Sequence, residues 1–102
     1  MKQRLLIVMI IMLGTATVAQ QISDIYFNPE IKNPGFPEGK GPIVFLDEGH
    51  NNFHKLEGRY KPFAILLRRD GFVLKSSTSE ITSELLKKCS IFIISDPMSK
   101  KK

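Results

Sequence analysis

Gly41-Pro42-Ile43-Val44-Phe45-Leu46-Asp47-Glu48-Gly49-His50 is the stretch on which the fold turns. Ile43 to Leu46 is a short, continuously apolar, β-rich run bounded by Pro42 and Asp47. An unbroken apolar run of this length suits a strand buried on both faces, as in a parallel sheet. Two similar runs follow, Phe72-Val73-Leu74-Lys75 and Ile91-Phe92-Ile93-Ile94, the last closed by Asp96-Pro97. Between the first two, Tyr60, Phe63, Ala64, Leu66 and Leu67 recur at helical spacing. Pro62 suits a first helical turn, and Arg68 and Arg69 suit the negative end of the dipole. Gly71 suits the position just past the helix. The pattern predicts a helix over 60–70. Ser77-Thr78-Ser79-Glu80 has capping-box spacing and predicts a second helix with Ile81, Leu85 and Cys89 on one side.

The order β-α-β-α-β predicts an α/β fold of flavodoxin-like or Rossmann-like type with three parallel strands. With right-handed crossovers and a central first strand, the order is 2-1-3 and the helices fall on opposite faces. The third strand then lies at an edge, and Ile-Phe-Ile-Ile is a poor edge because unpaired apolar strands aggregate. Either a partner covers that edge or the domain is a truncated copy of a longer one, and truncation is the favoured expectation.

Upstream, residues 20–42 hold Pro29, Pro34, Pro37 and Pro42 with Gly35, Gly39 and Gly41, which predicts an extended lead-in without helix. Ile22, Ile25, Tyr26, Phe27, Ile31 and Phe36 are its candidate anchors on a neighbouring surface. The first 19 residues read as a secretory signal peptide. Lys2 and Arg4 form a basic start, Leu5 to Leu13 an apolar run, and Thr17 and Ala19 suit the −3 and −1 subsites of signal peptidase. The apolar run is shorter than the roughly 20 residues a membrane span needs. The expectation is an exported protein, periplasmic or extracellular, that meets a membrane only transiently. The domains are then 1–19, the lead-in 20–42, the α/β body 43–98 and a basic tail 99–102.

The formal charge of +5 sits at the ends of the chain, on Lys2 and Arg4 and on Lys100, Lys101 and Lys102. The body is about neutral, and nucleic-acid binding would need a basic cluster on it, so no nucleic-acid partner is expected. The single cysteine, Cys89, excludes an internal disulfide and is expected to be a buried structural thiol.

Chemistry concentrates in Asp47-Glu48-Gly49-His50-Asn51-Asn52-Phe53-His54, at the carboxyl end of the first strand. Ligands of open α/β sheets bind at that end. Ser95 and Asp96 should emerge at the same rim after the third strand, and Arg59 and Tyr60 lead into the first helix. The expected ligand-binding set is Asp47, Glu48, His50, Asn51, Asn52, His54, Arg59, Tyr60 and Asp96. Three uses fit these residue types. His50 and His54 with a carboxylate have the donors for a divalent metal, although Gly49 argues for a loop where the H-x3-H spacing is not diagnostic. A His and a carboxylate can carry protons. Asn and Asp can order the loop with the His residues bonded to backbone, beside an unspecified ligand. The last is preferred, so neither a cofactor nor a catalytic residue is assigned. No G-x-S-x-G, phosphate loop or zinc spacing occurs.

Gly41-Pro42 with the first strand, Asp47 to His54, Gly58-Arg59-Tyr60-Lys61-Pro62-Phe63-Ala64 and Asp70-Gly71-Phe72 together resemble an uncharacterised bacterial family, domain of unknown function 4350. Asp24, Phe27, Pro29, Pro34 and Gly39 add to the likeness, which covers most of 24–98. The resemblance extends to GIFT-type domains with a class I glutamine amidotransferase-like, flavodoxin-like fold. It implies that fold and a small or sugar-like ligand, and it implies a domain continuing beyond the third strand. Amidotransferase activity does not carry over, because Cys89 precedes its strand and forms no strand-to-helix elbow. The function expected is a non-catalytic small-ligand-binding module. The alternatives are part of a metal-assisted hydrolase and a non-functional fragment of a longer protein.

Overall fold

The computed structural model describes residues 22–99. The expected signal peptide and residues 100–102 of the basic tail lie outside that range. Strands β1 (Ile43–Asp47), β2 (Val73–Ser77) and β3 (Ile91–Ile93) form one parallel sheet in the order β2-β1-β3. Ile43 pairs with Val73 and Asp47 with Ser77 across β1 and β2, while Phe45 pairs with Phe92 across β1 and β3. Helix α1 (Lys61–Arg69) joins β1 to β2, and α2 (Ser83–Leu86) joins β2 to β3. The fold is thus the small α/β arrangement expected, with β1 in the centre.

The ends of α1 follow from its sequence. Pro62 occupies the first turn, where its missing N–H costs nothing. At the other end the Phe72 N–H donates to the Leu67 carbonyl and the Gly71 N–H to that of Arg68 (both 3.0 Å), the double bond of a Schellman motif. Gly71 has φ +98°, and a Cβ there would collide with the Phe36 backbone. Ala64 is fully buried against Val44, Leu46, Leu56 and Leu74, with Tyr60, Leu67, Phe72 and Ile93 packed around them. Phe63 and Leu66, counted in the same apolar pattern, lie on the exposed side of α1.

Side chains alternate along β1, so Phe45 faces away from Val44 and Leu46. On that second face Phe45 meets Phe92 edge to face, with centroids 6.4 Å apart. The helix expected to cover it is a single turn without a buried residue. The capping box does not form. Ser77 continues β2 and accepts the Glu48 N–H on its carbonyl at 2.7 Å, so the chain cannot turn into a helix there. Thr82 caps instead, its Oγ1 accepting the Leu85 N–H at 3.1 Å. Cys89 is half-buried rather than buried, with its thiol against the Leu86 carbonyl.

The lead-in carries neither helix nor strand among its described residues. Its second half is tied to the turn after α1. Gly35 N–H donates to the Asp70 carboxylate (2.6 Å), Gly41 N–H to Gly71 (2.8 Å), and Phe36 lies edge to face on Phe72. Ile22, Ile25 and Tyr26 find no such surface among the described residues and are exposed. None of the helices among the described residues is long and apolar enough to cross a membrane.

Candidate functional site

Asp47 ends the central strand and is completely buried. Its carboxylate accepts the Gly49 N–H (3.1 Å), Nδ1 of His50 (2.7 Å) and Nδ2 of Asn52 (3.2 Å). Burial by itself would push this carboxyl up. The bonds from Gly49, His50 and Asn52, with the charge of His50, hold it below its ordinary value. An ionised carboxylate only accepts, so His50 carries its proton on Nδ1 and turns Nε2 into an acceptor when neutral.

Asn52 is the second buried member. Its Oδ1 accepts the His50 N–H at 2.9 Å, and its Nδ2 donates both to Asp47 and to the Ser95 carbonyl, 3.1 Å away. One amide therefore ties the loop to β1 and to the exit of β3. Asn51 and Asp96 take positive φ, 53° and 45°, which their short polar side chains tolerate. The turns they make let Met98 N–H reach the His50 carbonyl (2.9 Å), Asn51 Nδ2 reach the Met98 carbonyl (3.3 Å) and Phe53 N–H reach the Asp96 carbonyl (3.3 Å). Glu48 points into the loop, where its carboxylate accepts the Leu56 N–H. Gly49 sits so close to Thr78 that a Cβ would fall 2.7 Å from its carbonyl oxygen.

A cleft of about 380 Å³ opens beside this braced loop, lined by Asp47, His50, Ile81, Ile94, Pro97, Met98 and Ser99. It is largely apolar apart from the Asp47–His50 pair. Of the nine residues expected to bind ligand, these two line it. Asn51, Asn52, Glu48 and Asp96 brace the loop. Arg59 stacks its guanidinium 3.8 Å over the Phe53 ring. His54 and Tyr60 belong to a separate group around Ser95. The apolar wall was not foreseen. Its residues follow β2 and β3, and the rule that loops after parallel strands share one rim would have found them.

Nδ1 of His50 is engaged by Asp47 and Nδ1 of His54 by the Ser95 hydroxyl, at 2.7 Å each. No group of three or more His, Cys, Asp or Glu side chains is placed to hold a metal among the described residues. Another hollow, of about 240 Å³ beside Glu38, Arg68 and Phe72 at the amino end of β2, brings no comparable set of polar groups together. Comparison of the chain with protein-family models, with curated proteins and with solved structures finds no match.

Proposed function

We propose that the protein is an exported small-ligand-binding module whose ligand enters the cleft above the carboxyl ends of the strands. The observation that carries this reading is the Asp47–His50 pair opening on a cleft walled by Ile81, Ile94, Pro97 and Met98. Ligand sites commonly combine such an apolar lining with a few oriented polar groups. The fixed tautomer of His50 offers Nε2 as an acceptor to a ligand hydroxyl, while the wall takes an apolar face. A sugar-like molecule has both surfaces. The likeness to the GIFT-type family points to the same ligand class, and the basic, apolar and small-residue segments of residues 1–19 support export.

The test is a nuclear magnetic resonance titration of the chain with methyl glycosides. Shifts confined to His50, Ile81, Ile94 and Met98, and abolished by His50→Ala, are expected. Absence of any shift there at millimolar glycoside would refute the reading. Export is checked separately by N-terminal sequencing after expression in a bacterial host, with Gln20 expected as the first residue of the periplasmic protein.

A further inference from the structure

A second group of side chains lies at the same end of the sheet, on the other side of Asn52. His54 comes from the connection after β1, Tyr60 from the N-cap of α1, and Ser95 from the segment after β3. The Ser95 Oγ stands 2.7 Å from Nδ1 of His54 and 2.9 Å from the Tyr60 hydroxyl. The His54 ring is stacked on Tyr60, with centroids 4.5 Å apart and planes 16° from parallel, and its edge meets Phe53 at 5.2 Å. The imidazole is therefore held against the hydroxyl by rings on two sides. The Ser95 backbone is fixed by the Asn52 amide. All three residues are half-buried, so each keeps part of its surface open to solvent.

A serine hydroxyl in hydrogen-bond contact with an imidazole that a third group orients is the arrangement of an activated nucleophile. We propose that Ser95 is such a nucleophile, with His54 as its general base, and that it reacts with small carboxylic esters. The Ser95 hydroxyl gives its proton to Nδ1 of His54 as Oγ bonds to the ester carbonyl carbon. The ester C–O bond then breaks, and the departing alkoxide takes that proton from His54. Water completes the cycle. It gives a proton to His54 and bonds to the acyl carbon, the Oγ–C bond breaks, and Ser95 regains its proton. Tyr60 is a positioning residue, its hydroxyl directing a lone pair of Oγ and its ring holding the base. The inference goes beyond ligand capture in the cleft and stands without it, because it uses none of the cleft-lining residues.

The experiment treats the full chain with a fluorophosphonate, which loses fluoride on forming an O–P bond to an activated serine. Peptide mapping by mass spectrometry locates the adduct. One adduct at Ser95 is expected, with a labelling rate at least tenfold above that of the urea-unfolded chain. His54→Gln, with its fold verified by circular dichroism, should cut the rate by at least tenfold. Tyr60→Phe keeps the stacked ring and should slow labelling by a smaller factor. No adduct at Ser95, or equal labelling of folded chain, unfolded chain and His54→Gln, would overturn the proposal and leave Ser95 a brace between loop and helix. Should His54→Gln fail to fold, the comparison of folded with unfolded wild-type chain decides by itself.

Discussion

The fully buried carboxylate of Asp47 stands 2.7 Å from Nδ1 of His50, whose side chain is 44% exposed. A closed end and an open end are thus joined by one charge-assisted bond. The buried partner is satisfied by three donors, and the exposed partner borrows its orientation from it. Removing the carboxylate leaves the Gly49 N–H without its acceptor and the Asn52 amide with only the Ser95 carbonyl. Asp47→Ala is expected to lower stability by about 3 kcal/mol, since bonds to charged groups and the unpaired donors left behind are each worth about 1–3 kcal/mol. A urea titration followed by circular dichroism measures the loss.

The same carboxyl should make the protein acid-sensitive. Its value in the fold lies below the ordinary 3.8. The stabilisation it supplies is complete above that ordinary value and is lost as pH falls through the lowered one. The urea midpoint is therefore expected to hold between pH 7 and 5 as far as Asp47 is concerned, and to drop below about pH 4. Asp47→Asn should flatten that acid limb; an unchanged limb in the variant would place the sensitivity elsewhere.

Ser77 offers the opposite case. It is buried opposite Asp47 in the β1–β2 register, and its Oγ finds no hydrogen-bond partner among the described residues. A buried hydroxyl without a partner costs free energy that an apolar replacement recovers. Ser77→Ala should be neutral or should raise stability by up to about 1 kcal/mol, measured as a shift in thermal midpoint.

Gly71 closes α1 at φ +98° with the Phe36 backbone against its α-carbon. Gly71→Ala meets both an unfavourable dihedral and a collision. A loss of about 2 kcal/mol or more is expected from the strained dihedral plus the displaced lead-in. Amide exchange should show the damage at Gly35, Phe36 and Gly41, which bond to this turn.

In the core, Leu46→Ala should cost about 2–5 kcal/mol, the usual range when a fully buried Leu is cut back. Leu66→Ala, on the exposed side of α1, should stay within about 0.5 kcal/mol. The contrast separates the buried centre of the sheet from the outer side of α1.

Strand order was legible because three apolar runs separated by polar connections leave a parallel sheet few arrangements. The stop of α1 was legible in Arg68, Arg69 and Gly71, whose preferences are local. The start of α2 was not, because Ser77-Thr78-Ser79-Glu80 satisfies a local rule that β-ladder pairing overrides. A carbonyl accepting Glu48 N–H from the neighbouring strand is invisible at a distance of 29 positions. The rich loop 47–54 was recognised as chemically dense, yet its residues divide between two networks. That division depends on Ser95, which sequence places at the rim without revealing its 2.7 Å contact to His54.

The burial pattern of β1 carries one more consequence. Ile43, Val44, Phe45 and Leu46 are apolar on both faces of the strand. Sliding β1 by one residue would exchange Val44 and Leu46 for Ile43 and Phe45, swapping hydrocarbon for hydrocarbon at little cost in burial. The loop that begins at Asp47 breaks that degeneracy. The three donors of Asp47, which are Gly49, His50 and Asn52, travel with it on the loop that follows, but that loop is tied to both neighbours, Glu48 N–H to the Ser77 carbonyl of β2 and Asn52 Nδ2 to the Ser95 carbonyl after β3, and a slip would part those bonds. The polar loop at the end of β1 thus serves as a key that admits one alignment of an otherwise featureless strand.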